Sequence, residues 1–586
     1  MFTEVIFMSI SFKKAISVFL CAALLAGVFA VCAFADESEL KITVATDTHY
    51  QCAEDNGELS PEAVDTGYLD GLLNEDIYYY TTIQGQMNFE SEAIVRAMLD
   101  GFIASDSEYL LIAGDLTCGK RQSHLEFAKL LAEAEQKSGR KIFVVPGNHD
   151  CDDEDFEKYI SIDEFKEIYN DFGFSDAVAF DTDSASYAAD LDENYRLLAI
   201  DSCIYGADDG KLSDATLAWI EEQTNAAKAD GKNVIAMMHH SLLSHFSVQP
   251  MFEGSGAAAE FMADLGIKYV FTGHLHANDI SSATTKNGNT IYDVQTGCLI
   301  SAPNAYREVS FTDSEVAIES KYVTELDAAY LPDGYTDEQL SLIESDFPAY
   351  ARGYFEAGMC KWLNRYIGSA GKVGKLLKQE PGTPLYAAID TLMKNVGEAI
   401  NLPIYDDGAT PESTDSIEEV AASYGFTIPA SDYEKPYQVV AALMGAFYHG
   451  DEPASLKENE LPLVYACLKA MLARAIMNIG TLSLTADEFD ALTEMVDGTT
   501  VSAEIMKGAA SEKAVVDMAG AVASSLLYTL TDGIAYDYSE PDDINVTLPG
   551  YGAENESINN GAWLNLIERI IKFFKLFLSF FGIAKF

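Results

Sequence analysis

Basic residues are scarce in this chain of 586 residues. Lysines and arginines number 37 against 93 aspartates and glutamates, which gives a formal net charge of -56. A net negative charge of this size repels the phosphate backbone of nucleic acids, so we expect no nucleic-acid-binding module. Because 48% of the residues are apolar and only 22% are charged, the chain is predicted to fold rather than to be disordered. Its length exceeds what one hydrophobic core holds and predicts two or three domains.

Cysteines and histidines are also few. Two of the nine cysteines, Cys21 and Cys32, lie in an apolar N-terminal run, and the rest are odd in number and irregularly spaced. This pattern does not indicate a disulfide framework, although it is compatible with one disulfide bridge. Only His449 among the nine histidines lies beyond residue 300. Imidazole chemistry is therefore expected in the first half of the chain.

The N-terminal segment resembles an export signal. Lys13 and Lys14 precede the apolar run, and small residues that end at Ala35 offer a cleavage site. We expect residues 1–35 to be removed and the mature protein to be extracellular or on the cell surface. An uncleaved membrane anchor is the alternative, because the run is long enough to span a bilayer.

The last segment, residues 560–586, is rich in Phe, Leu and Ile. On a helix, it would present one apolar face and an opposite basic face formed by Arg569, Lys572 and Lys575. We expect an amphipathic helix that lies on an anionic membrane or cell-envelope polymer. The alternative is that this helix docks on the protein's own core. The sequence does not identify the oligomeric state.

Short apolar segments alternate with helical segments from Lys41 to about Ser320. The apolar segments are KITVAT, YLLIAG, KIFVVP, RLLAID, NVIAMM, KYVFTG and TIYDVQTG. This alternation predicts an α/β domain with a largely buried sheet over residues 36–330. Longer helical patterns follow and predict a separate, mainly helical domain of unknown role over residues 331–555.

Polar side chains of the metal-ligand type follow five of these apolar segments directly. They are Asp47, His49, Asp115, Asn148, His149, Asp150, His239, His240, His274 and His276. The carboxyl ends of strands are where α/β sheets place their active sites. Imidazole nitrogens with carboxylate and amide oxygens suit two divalent ions of Mn, Fe or Zn, because the set exceeds the needs of one ion. Two such ions activate water and clamp a phosphoryl group.

The order of these motifs resembles the calcineurin-like metallophosphoesterase superfamily. The motifs are Asp47-Thr48-His49, Gly114-Asp115, Gly147-Asn148-His149-Asp150, His239 and Gly273-His274-Leu275-His276. The resemblance covers about residues 41–300, roughly half of the chain. It implies an α/β/β/α sandwich, here followed by the mainly helical domain, and the hydrolysis of a phosphomonoester or phosphodiester by a metal-bridging hydroxide.

The resemblance also implies roles for single residues. One metal would be held by Asp47, His49 and His276, the other by Asn148, His239 and His274, and Asp115 would bridge them. His149 would protonate the leaving oxygen, as suits an imidazole. Asp150 is the second catalytic candidate, although an aspartate here more often caps the next segment or fixes the loop.

Several alternatives stay open. Either His239 or its neighbour His240 is the ligand, with His239 favoured because it ends the apolar run. We expect His124 on a helix surface and His245 in a loop. Purple acid phosphatases place a tyrosine ligand three residues after the bridging aspartate, where this chain has Cys118, so an iron-tyrosinate site is not expected.

Two further questions concern regions outside these motifs. An insertion that contains DIYYYTT, residues 76–82, would form a substrate lid or cover the sheet. A protein of a different class, which binds surfaces through its helical domain and keeps the phosphatase fold as a scaffold, is the alternative function. The enzyme is favoured because a scaffold would be expected to lose ligands, and all are present here.

Overall fold

The computed structural model describes residues 39–56, 85–152, 159–245, 249, 251–367, 381–382, 384–406, 416–450, 459–479 and 544–552. The predicted export signal, the insertion with DIYYYTT and the predicted C-terminal amphipathic helix lie outside the described residues.

Two β-sheets form the centre of the first domain. The strands of the first sheet are β1 (Leu40–Ala45), β2 (Tyr109–Ala113), β3 (Lys141–Val145), β11 (Ala305–Phe311), β12 (Glu315–Tyr322) and β13 (Asn545–Pro549). They lie in the order β13-β12-β11-β1-β2-β3, with β1, β2 and β3 parallel and β11 antiparallel to β1. Parallel strands bring their carboxyl ends to one edge of the sheet.

The second sheet faces the first. Its strands are β4 (Ala179–Phe180), β5 (Tyr187–Asp190), β6 (Tyr195–Ile200), β7 (Asn233–Met238), β8 (Tyr269–Thr272), β9 (Asp279–Thr284) and β10 (Thr290–Gln295). They lie in the order β4-β5-β6-β7-β8-β10-β9, and the central strands β6, β7, β8 and β10 are parallel. All seven apolar segments singled out in the sequence therefore form strands.

Helices flank the sheets. In this domain they are α1 (Ala53–Asn56), α2 (Ser91–Ala104), α3 (Arg121–Ser138), α4 (Ile162–Ile168), α5 (Asp214–Ala229) and α6 (Ser255–Asp264), with short 3-10 turns at Phe174–Asp176 and Ala328–Tyr330. Helix α5 begins where the Ser213 side chain accepts the Thr216 N–H, and α3 ends at Gly139 in the left-handed conformation.

Strand β6 shows why the layers form. All of its residues are buried, since successive side chains point to opposite faces and both faces are covered. Leu197 and Ala199 lie in the core shared with the first sheet. Leu198 and Ile200 lie in a second core with α5 and α6. Each fully buried Leu or Ile contributes about 1.5–3 kcal/mol by leaving water. The α/β/β/α sandwich is confirmed.

Mainly helical structure follows the first domain. The helices are α7 (Asp337–Ser345), α8 (Phe347–Ile367), α9 (Pro384–Ala399), α10 (Ile417–Ser423), α11 (Pro436–His449) and α12 (Glu460–Ile479). They contact the first domain at several points. The Tyr350 hydroxyl donates to the buried Glu90 carboxylate at 2.5 Å, and the Asn278 N–H donates to the Tyr448 carbonyl at 3.1 Å. In the described part of the chain, no helix combines the length and the apolar character needed to cross a membrane.

Strand β13 returns from beyond the helical region to the first domain, which the sequence analysis did not predict. It pairs antiparallel with β12 at the edge of the first sheet. The last residue of β13 and a residue that follows the strand also bond to the second sheet. The Tyr269 hydroxyl donates to the Pro549 carbonyl at 2.6 Å, and the Tyr551 hydroxyl donates to the Val234 carbonyl at 2.5 Å. This segment therefore joins the two sheets.

Candidate metal centre

The carboxyl ends of five strands meet where the two sheets face each other. Strands β1, β2 and β3 bring Asp47, His49, Asp115, Asn148, His149 and Asp150 from the first sheet, and β7 and β8 bring His239, His274 and His276 from the second. The structure thus places all nine predicted site residues in one region. The sandwich supplies this convergence because the parallel strands of both sheets end at the same side.

One group of ligand atoms is formed by Asp47, His49 and His276. The Nε2 atoms of His49 and His276 lie 3.4 Å apart. Asp47 Oδ1 lies 3.3 Å from His276 Nε2 and 3.8 Å from His49 Nε2. The Asp47 carboxylate is oriented from the other side by the His274 N–H at 3.0 Å and the Thr46 hydroxyl at 2.8 Å.

A second group is formed by Asn148, His239 and His274. Asn148 Oδ1 lies 3.0 Å from His239 Nε2 and 2.9 Å from His274 Nδ1. The other ring nitrogen of His239, Nδ1, lies 3.0 Å from the Ala113 carbonyl, which can only accept a hydrogen bond. Nδ1 of His239 therefore carries a proton, and Nε2 is the nitrogen available to a metal.

The Asp115 carboxylate lies between the two groups. Its Oδ2 atom lies 3.2 Å from His239 Nε2 and 3.7 Å from His49 Nε2. Its Oδ1 atom accepts the His149 backbone N–H at 2.8 Å, which fixes the orientation of the carboxylate. A single oxygen thus faces a ligand atom from each group.

Backbone strain is concentrated at these residues. Positive φ angles at non-glycine residues in the described ranges occur at Asn304 and at five candidate ligands, namely Asp47, His49, Asp115, His274 and His276. Residues other than glycine rarely adopt this region, and such strain clusters at functional sites. Gly147 is required for a different reason, because a Cβ there would lie 2.1 Å from Asp115 Oδ1. The absence of a side chain at Gly147 therefore lets the backbone lie directly against the Asp115 carboxylate.

The electrostatics of the site favour bound cations. Burial lowers the pKa of His49 and of His274, each to about 3, which keeps both imidazoles neutral. Burial also lowers the pKa of His239, but the Asp115 carboxylate outweighs it and raises that pKa to about 9. Burial raises the pKa of Asp47, while His276 and His239 outweigh burial and lower it to about 2. The ionised Asp47 carboxylate and the neutral imidazoles of His49 and His274 are in the protonation states that metal ligation needs, whereas His239 would release a proton when a cation binds.

The residues present fit divalent metal ions. The ligand atoms of Asp47, His49 and Asp115 lie within 4.8 Å of one another. The Nε2 atoms of His49 and His276 face each other at 3.4 Å, which indicates that a cation belongs between them. Oxygen and imidazole donors in this number suit Mn, Fe or Zn.

The two catalytic candidates have different surroundings. His149 is half-buried, and its ring centroid lies 5.3 Å from that of His49. The Asp150 side chain is fully buried. Its carboxylate accepts three backbone N–H groups, from Leu116 at 3.1 Å, Thr117 at 3.0 Å and Gly147 at 2.8 Å. Asp150 thus ties together the loops after β2 and β3, as the loop-fixing alternative predicts.

Three other histidines are buried. His240 packs beside the second group, where its Nδ1 lies 2.9 Å from the Ser202 hydroxyl. The prediction that His124 lies on a helix surface is wrong, because its ring is fully buried between Thr117, Asp150 and Tyr169. His245 lies in a loop as predicted, but it is buried against Asp279 and Asp293. Polar partners brought from distant parts of the chain account for both burials.

Cys298 was missed by the sequence analysis. It lies on the loop after β10, and its Sγ atom and the ligand atoms of His49 and His276 lie within 4.8 Å of one another. The rule that located the other ligands, a ligand-type residue just after an apolar segment, also applies to the cysteine in TIYDVQTGC.

The chain is similar to a family of known proteins over part of its length. A family model described as calcineurin-like phosphoesterase matches residues 40–278. No curated protein matches the chain. A dimetal phosphatase from Danio rerio is similar in structure at 11% identity and a TM-score of 0.35, over 49% of this chain and 97% of that chain. Purple acid phosphatase PPD1 from yellow lupin (Lupinus luteus) is similar at 12% identity and a TM-score of 0.32, over 49% of this chain and 52% of that chain.

Proposed function

We propose that the protein is a dinuclear metal-dependent phosphoesterase that hydrolyses a phosphomonoester or phosphodiester, since a calcineurin-like phosphoesterase family model matches residues 40–278. One observation carries the dinuclear assignment: Asp115 Oδ2 lies 3.2 Å from His239 Nε2 and 3.7 Å from His49 Nε2. A carboxylate oxygen shared in this way is what a bridge between two ions needs.

The proposed ligands divide between the two groups. Asp47, His49 and His276 would hold one divalent ion, Asn148, His239 and His274 would hold the other, and Asp115 would contact both. When bound, the two ions would activate water at neutral pH and offset the negative charge of the phosphoryl group. Mn, Fe and Zn all fit the donor set.

The protein's own residues complete the chemistry. His149 stands half-exposed beside the first group, where its imidazole is placed to donate a proton to the leaving oxygen. The Asp115 Oδ1 atom holds the backbone N–H of His149 at 2.8 Å, so the proton donor and the bridging carboxylate are fixed relative to each other. Asp150 positions this loop through its three N–H contacts.

The proposal is tested with the purified full chain. The bound metals are measured, removed with a chelator, and returned one at a time as Mn, Fe or Zn. Turnover of p-nitrophenyl phosphate, bis-p-nitrophenyl phosphate, cyclic nucleotides and phospholipid head groups is followed at each stage. We expect activity to disappear with the metals and to return with at least one of them. Full activity in metal-free protein would reject the mechanism.

We also propose that the enzyme is exported and contacts a membrane or cell-envelope polymer. The signal-like segment at residues 1–35 and the amphipathic pattern at residues 560–586 support this location. Binding of the mature chain to anionic vesicles is compared with that of a chain that ends near Asn560. Equal binding, with lower stability of the shortened chain, would favour docking of the terminal helix on the protein core.

A further inference from the structure

We propose that Cys298 is an additional ligand to the metal held by Asp47, His49 and His276, and that this position therefore prefers a thiophilic ion such as Zn²⁺ or Co²⁺ over Mn²⁺. The inference rests on the metal centre of the proposed function. It adds a sulfur donor that the five strand-end motifs do not contain.

The geometry places the thiol with the imidazoles. The Sγ atom of Cys298 and the ligand atoms of His49 and His276 all lie within 4.8 Å of one another. The Cys298 side chain is 1% exposed. Its Sγ atom also lies 3.2 Å from the backbone carbonyl oxygen of Asp47. The thiol therefore contacts the backbone of a third proposed ligand of the same ion. One ion placed among these groups would have oxygen, nitrogen and sulfur donors around it.

The loop that carries Cys298 is fixed to the other ligands. The backbone N–H of Cys298 donates to the His276 carbonyl at 3.3 Å, and the next N–H, from Leu299, donates to the Thr46 carbonyl at 3.4 Å. The loop is therefore attached both to the segment that carries His276 and to the end of β1. These bonds define the position of the sulfur, as a site that binds metal requires.

A sulfur donor changes which ions the position selects. Thiolates favour Zn²⁺ and similar ions, whereas Mn²⁺ prefers carboxylates, carbonyls and water. The thiol proton leaves to solvent when the metal–sulfur bond forms, and the resulting negative charge offsets part of the charge of the ion. The alternative is a buried thiol that only donates a weak hydrogen bond to Asp47 and packs as a small apolar group.

Cobalt spectroscopy separates these two roles. The full chain is stripped of metal, loaded with Co²⁺, and examined for the near-ultraviolet thiolate-to-cobalt charge-transfer band alongside the visible bands of bound cobalt. The variants are Cys298→Ser, which keeps a donor to the Asp47 carbonyl, and Cys203→Ser as the matched control. Cys203 also donates from Sγ to a backbone carbonyl, that of Pro146 at 3.4 Å, but does not belong to the cluster with His49 and His276.

We expect the charge-transfer band in the wild-type chain and in Cys203→Ser, and its loss in Cys298→Ser. The affinity for Zn²⁺ should fall at least about tenfold in Cys298→Ser, since even indirect partners of metal ligands contribute that much, while the affinity for Mn²⁺ changes less. Visible cobalt bands without a charge-transfer band in the wild-type chain would overturn the role of Cys298 but would not contradict the proposed metal centre. Failure to bind cobalt at all would instead count against the proposed function. If Cys298→Ser does not fold, Cys298→Ala replaces it, and absence of the band from the wild-type chain still overturns the role of Cys298.

Discussion

Nε2 of His124 lies 3.0 Å from the backbone carbonyl oxygen of Asp150. A carbonyl only accepts, so Nε2 carries the proton, and in the neutral ring Nδ1 accepts the Tyr169 hydroxyl at 2.8 Å. The ring thus connects helix α3 to the loop that carries His149. The Asp150 carboxylate in turn binds the loop after β2. His124 therefore supports the loops after β2 and β3, which both carry residues of the candidate metal centre.

His124 should make stability depend on pH. Burial lowers the pKa of His124 to about 3, whereas a histidine in the unfolded chain titrates near 6.5. Between these values the unfolded state binds more protons, so the contribution of the neutral ring is complete above about pH 6.5 and is lost as the pH falls toward 3. On acidification, we expect the free energy of opening to fall more steeply in the wild-type chain than in His124→Gln. The two slopes should differ by up to about 1.4 kcal/mol per pH unit. Hydrogen exchange of β2 and β3 amides measures this difference, and equal pH slopes would contradict it.

Asp150→Asn should damage the loops without removing a proton-transfer group. The substitution replaces one carboxylate oxygen with an amide NH2 group, which faces a backbone N–H and cannot accept its hydrogen bond. The unpaired buried donor costs about 1–3 kcal/mol. We expect a lower melting temperature and weaker metal binding. Activity at saturating metal should keep the pH profile of the wild-type chain. A shifted or flattened pH profile would show that Asp150 takes part in proton transfer.

Asp115→Asn should lower the number of metals bound. The neutral amide keeps the size of the carboxylate but removes the charge that lies between His239 and His49. We expect less than two metal equivalents per chain by elemental analysis, and a matching loss of activity. Asp264→Asn is the control, because Asp264 is exposed and bonds only to neighbouring side chains such as those of Asn287 and Asn289. Two metals in Asp115→Asn would argue against a bridging role.

His149→Ala should separate metal binding from catalysis. We expect metal occupancy to stay near that of the wild-type chain, while the rate falls on the order of 10² to 10⁴, the usual range for an acid–base group. The loss should be smaller for substrates whose leaving group is already acidic, such as p-nitrophenyl phosphate, because they need less protonation. Loss of metal in proportion to activity would identify His149 as a ligand instead.

Strand β13 should be needed for a stable first sheet. Its partner β12 buries Val316 and Ile318 and would become an open edge without it, and exposed edges promote aggregation. We compare a chain that ends at residue 543 with one that ends at residue 555. The shorter chain should unfold at lower temperature and aggregate more, as measured by light scattering during heating. Equal behaviour of the two chains would show that β13 contributes little.

The sequence predicts the centre of this fold better than its edges. Buried parallel strands such as β6 and β7 are continuous apolar runs, and local pattern alone identifies them. The convergence of the candidate ligands is predicted as well, because side chains of the metal-ligand type directly after five such runs rarely occur together by chance. Edge strands are different. The edge strand β13 and its neighbour β12 alternate exposed with buried or partly buried residues, so neither forms a continuous apolar run.

Residues that support the site are predicted least well. His124 lies three and seven residues before Phe127 and Leu131, on the buried face of its helix, so helical spacing places it in the core. Its polar partners Asp150 and Tyr169 come from other elements and could not be predicted from that spacing. His245 is buried by Asp279 and Asp293, which lie on two later strands. The polar contacts of such residues form across the tertiary structure, and the periodicity of the sequence does not contain those contacts.

The position of β13 in the chain has a consequence for the order of folding. β12 ends at Tyr322, whereas its partner β13 begins at Asn545. The first sheet therefore stays incomplete until the chain has been synthesised beyond Asn545, and closing so long a loop slows this pairing step. During that interval the nascent chain presents an open strand edge, at which non-native pairing and aggregation begin. A chaperone that binds extended segments would protect this protein for longer than it would a domain whose strands are adjacent in sequence.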